Sequence, residues 1–81
     1  MKANVYVNLK NSISDPKGAA VKASLNQLGW QEVKEVRMGK LIQIHLDETS
    51  KDKAQEKIQA MCEQLLANEV METFHIEIVE G

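Results

Sequence analysis

Residues 3–9 read ANVYVNL, and this segment decides the fold because aliphatic and polar side chains alternate along it. The aliphatic residues fall on one face, and Asn4, Tyr6 and Asn8 fall on the other. A period of two predicts a β-strand with one buried face. The chain therefore begins with a strand that needs a partner layer to cover that face.

The segment after this strand predicts an amphipathic helix that ends near Leu28. Asp15 can accept hydrogen bonds from free backbone N–H groups, and Pro16 suits the first helical position. Gly29 can adopt the left-handed conformation that ends a helix. Gly18, in the first turn, either permits a close backbone approach or is simply tolerated there. The expected buried face consists of the large aliphatic residues Val21, Leu25 and Leu28.

A β-hairpin is predicted over residues 31–47. Its first strand covers residues 30–38, where strict alternation is broken, and its turn lies at Gly39. The second strand of the hairpin has the alternating aliphatic residues Ile42, Ile44 and Leu46. The predicted hairpin therefore lies in the middle of the chain, between the two helices.

A second helix and a last strand complete the pattern. Thr49 and Asp52 resemble a capping box, and Asn68 can end the helix. The expected buried stripe consists of Ala54, Ile58, Met61, Cys62 and Leu65. Alternation over residues 74–78 then predicts a strand.

The predicted order is β-α-β-β-α-β, over one domain of residues 1–81. Handed crossovers turn this order into an α+β ferredoxin-like sandwich, a four-stranded antiparallel sheet with both helices on one face. The other face stays uncovered, and its residues are mixed in character, namely Tyr6, Leu41, Gln43, His45 and Val79. A chain of 81 residues buries little apolar surface on its own, so self-association is favoured.

The charge and the hydropathy of the chain argue against nucleic-acid binding and against a membrane span. The chain has ten basic and twelve acidic side chains; residues 1–40 carry a net +4 and residues 41–81 a net −6. A net charge of −2 is unsuited to neutralising nucleic-acid phosphates. No apolar run approaches the length of a membrane span, so we expect a cytoplasmic protein. The opposite charges of the two halves belong either to intramolecular packing and solvated surface or to a bipolar docking surface for a protein partner.

The sequence contains no recognisable catalytic or metal-binding cluster. Cys62 lies on the expected buried stripe and is interpreted as a core thiol. His45 and His75 lie on strands that another strand separates, which disfavours a shared metal. Gly39-Lys40 lacks the remainder of a phosphate-binding loop, so it is either a hairpin turn or, together with Arg37, a contact point for a partner. Tyr6 could stack on a base as in an RNA-binding sheet, but the third predicted strand offers Leu41, Gln43 and His45 instead of a second aromatic residue.

Four stretches together resemble the PurS family, the small subunit of phosphoribosylformylglycinamidine (FGAM) synthase. They are DPKGAA at 15–20, LGW at 28–30, VRMGK at 36–40 and CEQLLANEVME at 62–72. The resemblance covers nearly the whole chain. Glu69 and Met71 differ from the residues that are common in the family.

The resemblance implies a role in the ATP- and glutamine-dependent conversion of formylglycinamide ribonucleotide (FGAR) to FGAM in purine biosynthesis. A PurL-type synthetase subunit uses ATP and magnesium, and a PurQ-type glutaminase subunit releases ammonia. The small subunit is implied to be a homodimer or higher oligomer that bridges the two and supports ammonia transfer. It is implied to have no active site and no cofactor of its own, so the chain is part of an enzyme without being catalytic.

The expected partner contacts lie where a turn and a helix start project beyond the sheet. They are Arg37, Gly39 and Lys40 in the turn, and Asp15, Lys17 and Gly18 at the helix start. Asn68 is either a helix terminator or a contact in a loop that meets a partner. The alternative function is an ACT-like regulatory domain that binds a small molecule at a dimer interface.

Overall fold

The computed structural model describes residues 1–80 and consists of three strands and two helices. In chain order these are β1 Lys2–Leu9, α1 Pro16–Gln27, β2 Gly39–His45, α2 Lys51–Met61 and β3 Glu72–Val79. A π-helical turn, Cys62–Leu66, extends α2. The three strands form one antiparallel sheet in the order β2-β1-β3. The α+β class is therefore confirmed, with β1 at the centre of the sheet.

The register of the sheet gathers the aliphatic residues on one face, here called the inner face. Val5 pairs with Ile42 on one side and with Ile76 on the other. The fully buried side chains with the largest volume are Ile58, Val5, Val7 and Cys62. The core thus lies between the inner face and the second helix, as the alternation in β1 predicts.

The second helix begins one residue later than the sequence predicts. Ser50 is its N-cap, since the Ser50 hydroxyl accepts a hydrogen bond from the Lys53 backbone N–H at 3.3 Å. The capping box at Thr49 is therefore wrong. The Thr49 N–H instead donates to the carboxylate of Glu48 at 3.1 Å.

The end of the second helix departs from the expected buried stripe. The Ala67 N–H donates to the Cys62 carbonyl at 3.1 Å, a five-residue step that makes the last turn wider than an α-helical turn. This step turns Leu66 and Ala67 toward the core and leaves Leu65 83% exposed. The prediction that Leu65 is buried is wrong because the stripe assumed an α-helical period throughout.

The predicted fourth strand is absent from the described residues 1–80. Residues 30–38 are a turn followed by irregular backbone, and Gly39 lies within β2 rather than in a hairpin turn. The polar groups of this segment are taken by other partners: the Met38 N–H donates to Asp15 Oδ2 at 2.7 Å, and the Val33 carbonyl accepts from Asn26 Nδ2 at 3.3 Å. With these bonds made, the segment does not pair with the β2 edge.

The first helix lies away from the inner face, which corrects the expectation of two helices on one face. In the part of the chain that the structure describes, α2 contacts β3, whereas α1 makes no extensive contact with any strand. Residues 16–38, here called the arm, consist of α1 and the return segment packed along it. The chain is accordingly long and thin, with extents of 48 × 28 × 14 Å.

Candidate partner interface

A surface cavity of about 370 Å³ opens where the arm joins the sheet. It has an apolar floor and a charged rim, and its lining residues are Val7, Leu9, Asp15, Pro16, Lys17, Met38, Gly39, Lys40 and Glu72. Four of the seven predicted contact residues are among them. The other three, Gly18, Arg37 and Asn68, are bonded to residues at its edge or lie one position away in the chain. The structure therefore brings all seven predicted residues to one end of the sheet, where the arm begins and returns, here called the junction.

Asp15 holds the arm at the junction. Its side chain is the N-cap of α1: Oδ1 accepts from the Gly18 N–H at 2.9 Å, and Oδ2 accepts from the Met38 N–H at 2.7 Å. These two backbone hydrogen bonds, the one from Gly18 foremost, lower the pKa of the Asp15 carboxyl below its ordinary value of 3.8. One carboxylate thus joins the two ends of the arm, and only 8% of the residue is exposed.

Gly18 permits a close contact between α1 and the return segment. A Cβ at this position would overlap the Val36 carbonyl oxygen and would lie 2.9 Å from Asp15 Oδ2. Of the two sequence interpretations of Gly18, the close backbone approach is confirmed.

Arg37 fastens the loop that precedes α1. Its Nη2 donates to the Lys10 carbonyl at 3.0 Å and to the Ile13 carbonyl at 2.8 Å. The side chain nevertheless lies at the surface, where its charge can meet a partner. Arg37 therefore has a structural role in this chain, and its role as a partner contact stays a prediction.

Lys40 and Glu72 form the charged edge of the cavity. Lys40 Nζ lies 3.7 Å from Glu72 Oε2, and the two side chains are 56% and 17% exposed. Lys40 pairs with Val7, and Glu72 with Leu9, on opposite sides of β1, so the ion pair spans the central strand. At this exposure the pair contributes little to stability, which leaves Lys40 available to a partner.

Gly39 allows a close approach of β2 to β1. A Cβ there would overlap Asn8 Oδ1 and would lie 3.0 Å from the Val7 carbonyl oxygen. Lys17, by contrast, is exposed on the cavity rim. Of these two predicted contacts, only Lys17 offers a side chain to a partner.

Asn68 organises the turn between the second helix and β3. Its Oδ1 accepts from the Val70 N–H at 3.0 Å, and its carbonyl accepts from the Glu72 N–H at 2.7 Å. The Asn68 N–H in turn donates to Glu72 Oε1 at 2.8 Å. Asn68 comes soon after the π-helical turn, which agrees with its interpretation as a residue that ends the helix. It also connects this turn to the ion pair of the cavity.

Glu72 and the apolar floor of the cavity were not predicted from the sequence. The sequence does indicate where these charges lie, because Glu72 is an even number of positions from Phe74 and Ile76 along its strand, and Lys40 is an even number of positions from Ile42. Parity places all of these on the inner face. Only the register of β1 shows that the two charges face each other.

The thiol and the two imidazoles of the chain lie on three different elements. Burial, with a smaller effect of Glu63, raises the pKa of the Cys62 thiol, which stays a protonated core group. His45 and His75 lie on β2 and β3, with β1 between them. Within residues 1–80 no group of three or more His, Cys, Asp or Glu is placed to hold a metal ion. No helix in the same range is long and apolar enough to cross a membrane.

The outer face of the sheet carries a second polar cluster. Glu77 Oε1 accepts from Asn4 Nδ2 at 2.9 Å and from the Tyr6 hydroxyl at 3.2 Å. These hydrogen bonds, the one from Asn4 first, lower the pKa of the Glu77 carboxyl, and the carboxylate raises the pKa of Tyr6. Tyr6 and Leu41 are 37% and 51% exposed. The predicted mixed, open outer face is therefore confirmed at these positions.

Comparison with known proteins identifies the family. Residues 2–80 match the family described as PurS, phosphoribosylformylglycinamidine (FGAM) synthase. The chain belongs to the PurS family. It is 43% identical over 74 residues to the PurS subunit of the synthase from Synechocystis, covering 91% of this chain and 74% of that protein. The resemblance of the four stretches is thereby confirmed, and with it the assignment to an FGAM synthase subunit of purine biosynthesis.

Solved PurS structures share the fold of this chain. Bacillus subtilis PurS superposes with a TM-score of 0.86 at 39% identity, covering 98% of both chains. A chain in the structure of PurLQS from Thermotoga maritima superposes with a TM-score of 0.87 at 29% identity, covering 96% of this chain and 95% of that one. These matches favour a synthase subunit over the ACT-like regulatory domain.

Proposed function

We propose that this chain joins a PurL-type synthetase subunit to a PurQ-type glutaminase subunit and supports the passage of ammonia between them. The observation that carries the proposal is the likeness to a chain of the PurLQS structure over nearly the whole length of both chains. The absence of a metal-ligand cluster in residues 1–80 and the core position of Cys62 support a non-catalytic role.

We assign the junction to partner contact. The cavity offers an apolar floor, from Val7 and Leu9, to an aliphatic side chain of a partner. Lys17 and Lys40 on its rim favour a neighbouring carboxylate on that partner. Arg37 adds a third positive charge on the adjoining surface.

The remaining properties follow from the same role. Residues 1–81 act as one domain and self-associate as a homodimer or higher oligomer. ATP and magnesium belong to the synthetase subunit rather than to this chain. The complex acts in the cytoplasm, where FGAR is consumed.

The test of the bridging role is FGAM formation by the matching PurL-type and PurQ-type subunits, with and without this chain. Glutamine-driven turnover is expected to require the chain, and ammonia-driven turnover is expected to persist without it. Equal glutamine-driven rates in both mixtures would refute the bridging role.

The test of the junction is the double variant Lys17→Ala/Lys40→Ala, with Lys51→Ala/Lys53→Ala as a charge-matched control on α2. The junction variant is expected to bind the synthetase at least about fivefold more weakly, a loss of about 1 kcal/mol. The control is expected to bind as the wild type does. Arg37→Ala is measured separately, with the thermal stability of the isolated chain, because its loss also frees the loop before α1. Equal binding by all variants would remove the junction from the interface.

A further inference from the structure

A second cavity, of about 240 Å³, lies in the arm between α1 and the segment that returns along it. This cavity, here called the arm cavity, is lined by Ser14, Asp15, Ala19, Lys22, Lys34, Glu35, Val36 and Arg37. Three of the ten basic side chains of the protein are among these residues. Neither ion pair within residues 1–80 includes any of the three. The arm cavity therefore gathers positive charge that the chain itself leaves without a close counter-ion.

Two carboxylates also line the arm cavity, and they offset this charge only in part. Both oxygens of Asp15 accept backbone hydrogen bonds, from the Gly18 N–H and the Met38 N–H, and the residue is 8% exposed. Glu35 is exposed at the cavity. With Asp15 engaged by backbone donors, the side chains that can meet a ligand carry three positive charges and one negative charge. A ligand with two negative charges balances them.

Two of the cations are held in place before any ligand binds. Arg37 Nη2 donates to two carbonyls of the loop before α1, which leaves the donors on Nε and Nη1. Lys34 Nζ donates to the Gln31 carbonyl at 3.3 Å, which leaves two of its three N–H donors. The third cation, Lys22, is half-buried on α1. An anion that enters the cavity therefore costs less side-chain freedom than one that has to gather three unrestrained side chains.

The phosphate group of a monoester fits both the charge and the size of the arm cavity. It carries a charge of about −1.5 to −2 at pH 7 and has three acceptor oxygens, whereas a carboxylate has one charge and two oxygens. Arginine binds phosphate oxygens through paired N–H donors, and lysine adds a point charge. A cavity of about 240 Å³ is smaller than the roughly 300–1,000 Å³ of a pocket that encloses a whole drug-sized ligand. The arm cavity thus has room for the phosphate group, and the rest of the ligand lies outside it.

We propose that the arm cavity binds the phosphate group of a phosphate monoester, with Lys22, Lys34 and Arg37 as its cationic donors. Inorganic phosphate and the phosphate group of a ribonucleotide share this chemistry. Because Lys22 lies on α1 and the other two cations lie on the return segment, the bound anion joins the two halves of the arm. The site is additional to the bridging role and does not depend on it.

The first test is titration of the ¹⁵N-labelled full chain with inorganic phosphate and with adenosine monophosphate, followed by amide chemical shifts at constant ionic strength. Saturable shifts are expected at residues 34–37 and at Lys22 with both ligands, and none with adenosine. At least about fivefold tighter binding of the nucleotide would identify a ribonucleotide as the source of the phosphate group, and equal affinities would identify free phosphate. Absence of saturable shifts at these amides would overturn the proposal. Equal shifts with succinate, a dianion without a phosphate group, would also overturn it.

The second test changes the charge of the lining in both directions. One unit charge about 4 Å from another in water changes affinity about fivefold. Lys22→Ala/Lys34→Ala is therefore expected to bind adenosine monophosphate at least about tenfold more weakly. Glu35→Gln, which removes the exposed carboxylate, is expected to bind it about two- to threefold more tightly. Lys51→Ala/Lys53→Ala, the charge-matched control on α2, is expected to bind as the wild type does.

Arg37 stays intact in these variants because it also fastens the loop before α1. Far-UV circular dichroism checks that each variant is folded. Equal affinities of Lys22→Ala/Lys34→Ala and the wild type would overturn the proposal, and so would weaker binding by Glu35→Gln. If the double variant does not fold, the Glu35→Gln result and the wild-type titration decide the question.

The third test is the thermal stability of the arm, followed by the fluorescence of Trp30. Since the anion joins α1 to the return segment, adenosine monophosphate at ten times its Kd is expected to raise Tm by about 5–10 °C. Lys22→Ala/Lys34→Ala at the same ligand concentration is expected to show a much smaller rise. Equal rises in both proteins would mean that the ligand acts elsewhere and would overturn the proposal. The synthase assay is independent of these tests, because a chain that binds the phosphate group without affecting turnover refutes the bridging role alone.

Discussion

Gly18→Ala tests whether the close contact between α1 and its return segment determines the stability of the arm. In an unobstructed helix, replacing glycine by alanine stabilises by about 1 kcal/mol. Here the added Cβ overlaps the Val36 carbonyl oxygen and approaches Asp15 Oδ2 to 2.9 Å. A backbone oxygen cannot rotate away as a side chain can, so the segment has to shift.

The expected net effect is a loss of stability. Overpacking costs about 1–3 kcal/mol, and overlap with a backbone oxygen places this site in the upper part of that range, at about 2–3 kcal/mol; the helical gain offsets about 1 kcal/mol of it. We expect Gly18→Ala to lower the free energy of unfolding by about 1–2 kcal/mol, and Tm by about 5–15 °C. A domain of 81 residues has about 4–12 kcal/mol in total, so this loss is readily measured.

The assay is urea unfolding at one fixed protein concentration, followed by far-UV circular dichroism and by the fluorescence of Trp30. Trp30 is the only tryptophan and lies in the arm, so its signal reports the arm directly. Ser24→Ala, at an exposed position of α1, is the control and is expected to stabilise by up to about 0.5 kcal/mol. If Gly18→Ala is as stable as the wild type or more so, the close contact does not constrain the arm.

Three further predictions concern the core and two carboxylates. Ile58→Ala is expected to cost about 2–5 kcal/mol in chemical unfolding, and Leu65→Ala less than about 0.5 kcal/mol; equal losses would contradict the π-helical turn. The lowered pKa of Asp15 means that its carboxylate stabilises the fold above pH 3.8 and that this contribution is lost as pH falls through the lower folded pKa. Asp15→Asn should therefore flatten the acid side of a Tm–pH curve, and parallel curves would refute this. The hydrogen bond from the Lys57 side chain is the main cause that lowers the pKa of Glu48 from 4.5 to about 2, so Glu48→Gln should lose less stability than the wild type as pH falls through that interval; acid titration of both proteins checks it, and equal losses would contradict it.

Most secondary structure could be predicted from residue patterns because its causes are local. Alternation in β1 and the cap at Asp15 act over a few neighbouring residues, and both are confirmed. Gly29 ends α1 with a φ of 111°, as its freedom at positive φ allows. The structure brings the seven expected contact residues to the junction, although Gly39 and Lys40 lie within β2 rather than in the predicted turn.

The errors share a physical cause, which is competition for the same groups by partners distant in sequence. Residues 30–38 have some strand character, but Asp15 and Asn26 take backbone groups that a neighbouring strand would otherwise use. Leu65 has the spacing of a buried residue until a single widened turn moves Leu66 into its place. A pattern of neighbouring residues therefore predicts neither of these two outcomes.

By itself the sequence determined the first strand, both helices, the cap at Asp15 and the family of this chain, since each depends on residue types at short spacing. Only the tertiary structure decided the three-stranded sheet, the pairing of Lys40 with Glu72 across β1, and the placing of the arm away from the inner face. The reason is that an amphipathic stripe predicts only that a surface will be buried. Which element buries that surface depends on which long-range contacts form. Within residues 1–80, Val21 and Leu28 stay 37% and 76% exposed although they share one helical stripe.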